Sequence, residues 1–207
     1  NWENPNIYYV QEAIGGGLWR CLNVTPTTIK ASGAPFIGNT FMLNPENPYE
    51  FFAGRGKDNT GHAVLNKWID SDAGISYYPD EVIHLPSEVQ NVGAIGILND
   101  SVFYIADFEP DEKDLANRFV KTIDGGDNWI DLSDSLVYYY NKSGTADTSE
   151  LSEVIEWKKN SSIEISSDNP DEMWITVSGQ KRDYNGNGIL RVLHSLNAGN
   201  SWRDYSE

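Results

Sequence analysis

A single cysteine among 207 residues leaves Cys21 without an intramolecular partner. The fold therefore stands on its own core and not on a disulfide framework. A chain of this length buries enough surface for that. Cys21 lies in the apolar run Leu18-Trp-Arg-Cys-Leu, which reads as a buried, inert thiol. Long apolar runs are missing too. No stretch of 18 consecutive apolar residues occurs, so no membrane insertion by a helix is expected. Basic residues are scarce, with 15 Lys and Arg against 31 Asp and Glu, a formal charge of −16. That balance excludes nucleic-acid binding by phosphate neutralisation and docking on an anionic membrane. Only three histidines are present (His62, His84, His194), without the close spacing of a zinc site. No phosphate loop and no Ser/His/Asp context for a nucleophile occur. The chain starts at Asn1 without Met or a signal peptide, which reads as a processed chain or a piece of something longer.

What is present points to strands and turns. Aromatic residues make up 12% of the chain, amid abundant Gly, Asn, Asp and Ser. The segment Thr122-Ile-Asp124-Gly-Gly126-Asp-Asn-Trp129 is nearly rewritten as Ser195-Leu-Asn197-Ala-Gly199-Asn-Ser-Trp202. Both read S/T-x-D/N-x-G-x-x-W. The Asp or Asn side chain accepts backbone N–H groups and closes a tight turn. The glycine takes a backbone conformation that other residues resist, and the tryptophan buries a large ring as the next strand begins. Strand-like runs precede both copies, so the unit is a β-hairpin with a specialised turn.

Weaker copies set a period. Asp72 and Gly74 stand at the Asp and Gly positions of Asp70-Ser-Asp-Ala-Gly-Ile-Ser-Tyr77, and Asn23 marks a more degenerate copy. The central positions 23, 72, 124 and 197 are separated by 49, 52 and 73 residues. A period near fifty is that of a propeller blade, and a polar insertion around Tyr138 to Asn160 lengthens the last interval. Each box is preceded by an Asn-led turn and an aromatic strand, at Asn4, Asn47, Asn99 and Asn169. Each unit therefore has four strands, and the expected fold is an all-β propeller of antiparallel four-stranded blades. The expected blades are about 1–32 (incomplete), 33–80, 81–135 and 136–207. With only about four blades represented, the chain reads as part of a larger propeller.

These boxes resemble the Asp-box (BNR) repeats of sialidase-like and sortilin (VPS10)-like propellers. Gly15-Gly-Gly-Leu-Trp-Arg resembles the strand before the box in xyloglucan-hydrolase propellers. In style the chain is similar to secreted, multidomain propeller proteins of Bacteroidota that carry a C-terminal sorting domain. The resemblance covers nearly the whole chain and is specific for architecture. It implies that the box turns lie opposite the ligand face. Thr122, Asp124, Gly126, Trp129, Ser195, Asn197, Gly199 and Trp202, with Asp72 and Gly74, are then structural. It also implies secretion or display at a cell surface. The arginine cluster and Arg-Ile-Pro signature of a sialidase are absent.

Function is then expected in the loops joining the second and third strands of each blade, in those joining successive blades and in the 138–160 insertion. Arg55, Lys57 and Asp58 lie in the loop from Gly54 to His62, and Arg182 in the loop from Gln180 to Gly188. The stretch from Asp107 to Asp114 holds Asp107, Glu109, Asp111 and Glu112, the candidates for a glycosidase carboxylate pair or simply a solvated acidic loop. Asp183, Asn185 and Asn187, followed by Gly188, match the first half of a calcium loop. Position twelve would be His194 where such loops have a bidentate Glu, so Ca²⁺ competes with an ion-free hairpin. The expected function is a non-catalytic scaffold or platform for a glycan, a protein partner or the rest of its own polypeptide. The alternatives are part of an Asp-box glycoside hydrolase, sialidase-like or xyloglucanase-like, and a sortilin-like peptide binder.

Overall fold

The computed structural model describes residues 7–11, 18–22, 27–30, 40–71, 74–75, 78–107, 118–139, 152–156, 161–182 and 188–206. Strands β1 (Ile7–Gln11), β2 (Leu18–Leu22) and β3 (Thr27–Lys30) form a three-stranded antiparallel sheet. The second sheet contains β4 (Thr40–Leu43), β5 (Glu50–Lys57) and β6 (Ala63–Ser71). The two-residue β7 (Gly74–Ile75) folds back on the end of β6, and β8 (Glu81–His84) pairs along its body. Residues 81–84 thus belong to the second blade, which runs past the expected boundary at 80. The reason is register: Val82 and Ile83 stand opposite Asn66 and Leu65.

The third blade is β9 (Val92–Ile97), β10 (Phe103–Asp107), β11 (Phe119–Thr122) and β12 (Ile130–Asp131), paired in chain order. A short helical turn, Ser133–Leu136, follows it. The last sheet is larger than expected. β15 (Ser162–Ile165), β16 (Met173–Arg182), β17 (Gly188–Ser195) and β18 (Arg203–Asp204) are the four strands of the repeat. Ahead of them, β13 (Val137–Tyr139) pairs with β14 (Ser152–Glu156), and β14 pairs with the far half of β16. The insertion expected to be a polar loop therefore supplies strands, in keeping with the β-branched and aromatic residues Val137, Tyr138, Tyr139, Val154 and Ile155.

Strand alternation divides the core into two seams. Phe103 and Ile105 face the second blade, joining Phe52, Leu65, Ile83, Val92 and Ile95. Their neighbours Tyr104 and Ala106 face the fourth blade, joining Phe119, Ile163, Met173, Ile175 and Leu193. The inner strand β9 lies beside β4 and β15. Two glycines permit that approach: a Cβ on Gly54 would meet Val92 Cγ1 at 2.2 Å, and one on Gly96 would meet Ile163 Cγ2 at 2.3 Å. Each fully buried side chain contributes roughly 1.5–3 kcal/mol, so the seams dominate cohesion between blades.

A pair of positions repeats across these faces. Phe52 stands opposite Lys67, Tyr104 opposite Lys121, and Trp174 opposite His194. Lys67 Nζ lies 5.5 Å from the Phe52 ring centroid and Lys121 Nζ 5.0 Å from that of Tyr104. His194 stacks on Trp174 at 4.0 Å. An aromatic ring on the second strand thus meets a nitrogen-bearing side chain on the third, a cross-strand unit of sheet stabilisation. Phe52 and Tyr104 are buried at seams, whereas Trp174 is 36% exposed.

Candidate functional site

The two complete boxes close their turns with the same hydrogen bonds. The Thr122 hydroxyl donates to Asp124 Oδ1 at 2.8 Å and accepts from the Gly126 N–H at 3.0 Å. The Ser195 hydroxyl donates to Asn197 Oδ1 at 3.0 Å and accepts from the Gly199 N–H at 3.0 Å. Asp124 then accepts from both the backbone and the side-chain amide of Asn128. Asn197 accepts from the Ser201 N–H while its own amide donates to the Ser201 hydroxyl. The partner changes with the central residue: a carboxylate, acceptor only, faces the Asn128 donor, and an amide faces a hydroxyl. Positions 128 and 201 carry this complement without entering the motif read from sequence. The Asn128 amide, ahead of the other donors, holds the Asp124 carboxyl below the usual aspartate range. The hydroxyl and the Asp or Asn side chain of each box are engaged within its own turn. The degenerate copy is built differently. Gly74 pairs with Ser71 inside the β6–β7 hairpin, and Asp72 lies outside the described residues.

The other end of the blades carries the loops of functional interest. Asp58 closes the β5–β6 turn: its carboxylate accepts the Thr60 N–H at 2.7 Å, and its own N–H donates to the His62 carbonyl at 2.8 Å. The Thr60 hydroxyl is the largest cause lowering the Asp58 pKa to about 2. His84 Nε2 is 3.4 Å from Asp58 Oδ2, and the His62 ring meets the His84 ring edge-on at 6.1 Å. Asp58 is thus a turn-former, while Arg55 and Lys57 stand exposed beside it. Arg182 ends β16 in register with Gly188.

Asp107 departs from the expectation of a solvated loop acid. It is 1% exposed and accepts the Asn91 N–H at 2.9 Å and the Gln90 N–H at 3.2 Å. It ties the connection between the second and third blades to the end of β10. Asn91 Oδ1 in turn lies where a Cβ on Gly56 would be, at 2.4 Å, so the clamp adjoins the β5–β6 loop. Its carboxylate is thus engaged by the backbone of the connection, which sequence spacing alone does not reveal. Replacing Asp107 by Ala is expected to cost roughly 1–3 kcal/mol, because buried donors lose their acceptor. Chemical denaturation checks this, and a change below about 0.5 kcal/mol would refute the clamp.

Glu109, Asp111 and Glu112 lie outside the described residues, as do Asp183, Asn185 and Asn187. Among the described residues no three or more His, Cys, Asp or Glu side chains gather as metal ligands. Among them also, no helix is long and apolar enough to cross a membrane. One cavity was not anticipated. It measures about 220 Å³ and is lined by Pro86, Glu88, Arg118, Val120, Trp129 and Asp131, at the rim between the second and third blades. Arg118 and Asp131 form an ion pair there at 2.9 Å. No sequence motif marks it, because its lining comes from three separate segments.

No family model matches this chain, and no curated protein matches it. Solved structures do. The GH74 xyloglucanase of Xanthomonas campestris superposes with a TM-score of 0.55 at 11% identity, over 99% of this chain and 29% of that one. The GH74 enzyme of Niastella koreensis gives a TM-score of 0.55 at 16% identity, over 99% of this chain and 28% of that one. The chain thus spans less than a third of each enzyme. At such identities the likeness establishes the fold. The chain is a β-propeller segment of antiparallel four-stranded blades, and it fits as part of a larger propeller.

Proposed function

We propose that this β-propeller segment is a non-catalytic platform that binds a glycan on the face carrying the β5–β6 loop. The observation that carries the reading is Asp107. Asp107, which leads the acidic stretch 107–114, is buried as a clamp between blades. Around it, exposed Arg55 and Lys57 and the His62–His84 pair offer donors to hydroxyl-rich ligands. The xyloglucan-directed enzyme among the similar structures makes a plant-type glycan the first ligand to try. Extracellular placement, kinship with Asp-box propellers of the sialidase and sortilin kind, and a calcium ion at Asp183, Asn185 and Asn187 belong to the same proposal.

A second reading keeps the chain inside a glycoside hydrolase, with Glu109, Asp111 or Glu112 as catalytic carboxylates. The likeness to two GH74 structures, over 99% of this chain, supports it. Affinity electrophoresis in xyloglucan gels, combined with a reducing-end assay, separates the two. The platform reading expects retardation without new reducing ends, weakened about three- to tenfold by Arg55→Ala with Lys57→Ala. Cleavage that disappears in Glu109→Gln, Asp111→Asn or Glu112→Gln would overturn it. Running the gels and a melting curve with and without chelator tests the calcium loop, where an unchanged melting temperature counts against the ion.

A further inference from the structure

The two box tryptophans reach different surroundings, and the difference leaves a vacant place. Trp202 lies against the third blade, its ring 6.0 Å from that of Phe119, and its indole N–H donates to Ser135 Oγ at 3.2 Å. Ser135 belongs to the helical turn Ser133–Leu136 that follows β12. Trp129 lies in the corresponding position against the second blade, packed on the seam that contains Ile83 and Val120. After β8, however, the chain runs through Leu85 and Pro86 into a plain turn, in which the Val89 N–H donates to the Pro86 carbonyl. No hydroxyl takes the place of Ser135. The Trp129 indole N–H is buried and has no acceptor among the described residues. Trp129 also lines the cavity of about 220 Å³.

We infer that this rim cavity is a binding slot for one neutral pyranose ring of a glycan, the inference resting on the glycan reading above. Its size is below the roughly 300–1,000 Å³ of drug-sized pockets, which limits the occupant to about a single ring. Its lining alternates chemistry as a pyranose does. Pro86, Val120 and the Trp129 ring offer apolar surfaces to the C–H face of a sugar. Glu88 and Asp131 accept hydroxyl protons, and Arg118 donates to hydroxyl oxygens. Arg118 is already paired with Asp131, and the chain carries a charge of −16, so acidic sugars are disfavoured. The slot is made from outer strands and the connection between blades, and so differs from the β5–β6 loop.

The test is a titration of the ¹⁵N-indole-labelled protein with a xyloglucan oligosaccharide, then with methyl β-xylopyranoside, and with a neutral peptide as control. The Trp129 cross-peak is assigned by its loss in Trp129→Phe. Both sugars are expected to move that cross-peak saturably, with affinity about three- to tenfold weaker in Glu88→Gln. If the oligosaccharide binds in gels while the Trp129 cross-peak stays still, the slot is refuted and the platform stands. If neither sugar binds by either method, both fail. A shift produced by the peptide and not by the sugars refutes the slot as well.

Discussion

Gly126→Ala is expected to destabilise the protein by about 3–5 kcal/mol, whereas Gly199→Ala, at the same motif position, loses only about 1–2 kcal/mol. Both glycines sit in the left-handed region, at φ of 104° and 83°, so alanine strains the backbone at each. The difference lies in what the added methyl meets. At Gly126 it would stand 2.3 Å from Ile83 Cγ2, inside the seam between the second and third blades. At Gly199 the nearest atom is Phe119 Cε1 at 3.3 Å, a contact that small shifts relieve. For a chain of this size the larger loss lowers the melting temperature by roughly 6–20 °C. Ile83→Ala removes the clashing methyl, so Gly126→Ala with Ile83→Ala should cost clearly less than the sum of the two single changes. Simple additivity would show that backbone strain alone is responsible.

Lys67→Met is expected to cost about 3–5 kcal/mol near neutral pH and much less in acid. Lys67 Nζ lies 3.2 Å from Glu50 Oε2 and 3.8 Å from Asp100 Oδ2. The Asn44 amide donates to both carboxylates, at 2.7 Å to Glu50 and 2.5 Å to Asp100. Two acids from neighbouring blades are therefore held together by one cation and one amide. Methionine keeps the apolar stem over Phe52 and removes the charge. Burial, and then the hydrogen bond with Asp100, raises the Glu50 pKa. A carboxyl raised in the folded state favours folding while protonated, below the ordinary glutamate range. That contribution is lost as pH rises through the raised value. In Lys67→Met the protonated acid can donate to Asp100, so the deficit relative to the parent should shrink as pH falls from 7 towards 4. Denaturant midpoints at the two pH values check this, and an equal deficit at both would remove the network as the cause.

The repeat makes the architecture legible in the sequence itself. Local chemistry writes it out: Thr122 and Asp124 need only their own turn, and the Asn turns need only neighbours two or three residues away. Asn47 Oδ1 accepts the Tyr49 N–H, and Asn99 Oδ1 accepts those of Ser101 and Val102. Pairing between strands far apart in sequence is less legible. Nothing local in Glu81-Val-Ile-His says that it pairs with β6 and so joins the second blade. The insertion after Leu136 read as polar, yet part of it extends the last sheet through β14.

The site was less legible for the same reason. Asp107 and Glu109 look alike in a string of acids, and only the fold brings the Gln90 and Asn91 N–H groups to Asp107. Likewise, the boxes at Trp129 and Trp202 are near copies, and nothing within them distinguishes a filled niche from an open one. What distinguishes them is the preceding blade, with Ser135 supplied on one side and Pro86 and Glu88 on the other. Composition and spacing decided the strands, the turns and the blade period, since those follow from short-range hydrogen bonding and patterning. Tertiary packing decided which acid is buried, which glycine tolerates a methyl group and where a cavity remains, because each depends on atoms tens of residues away along the chain.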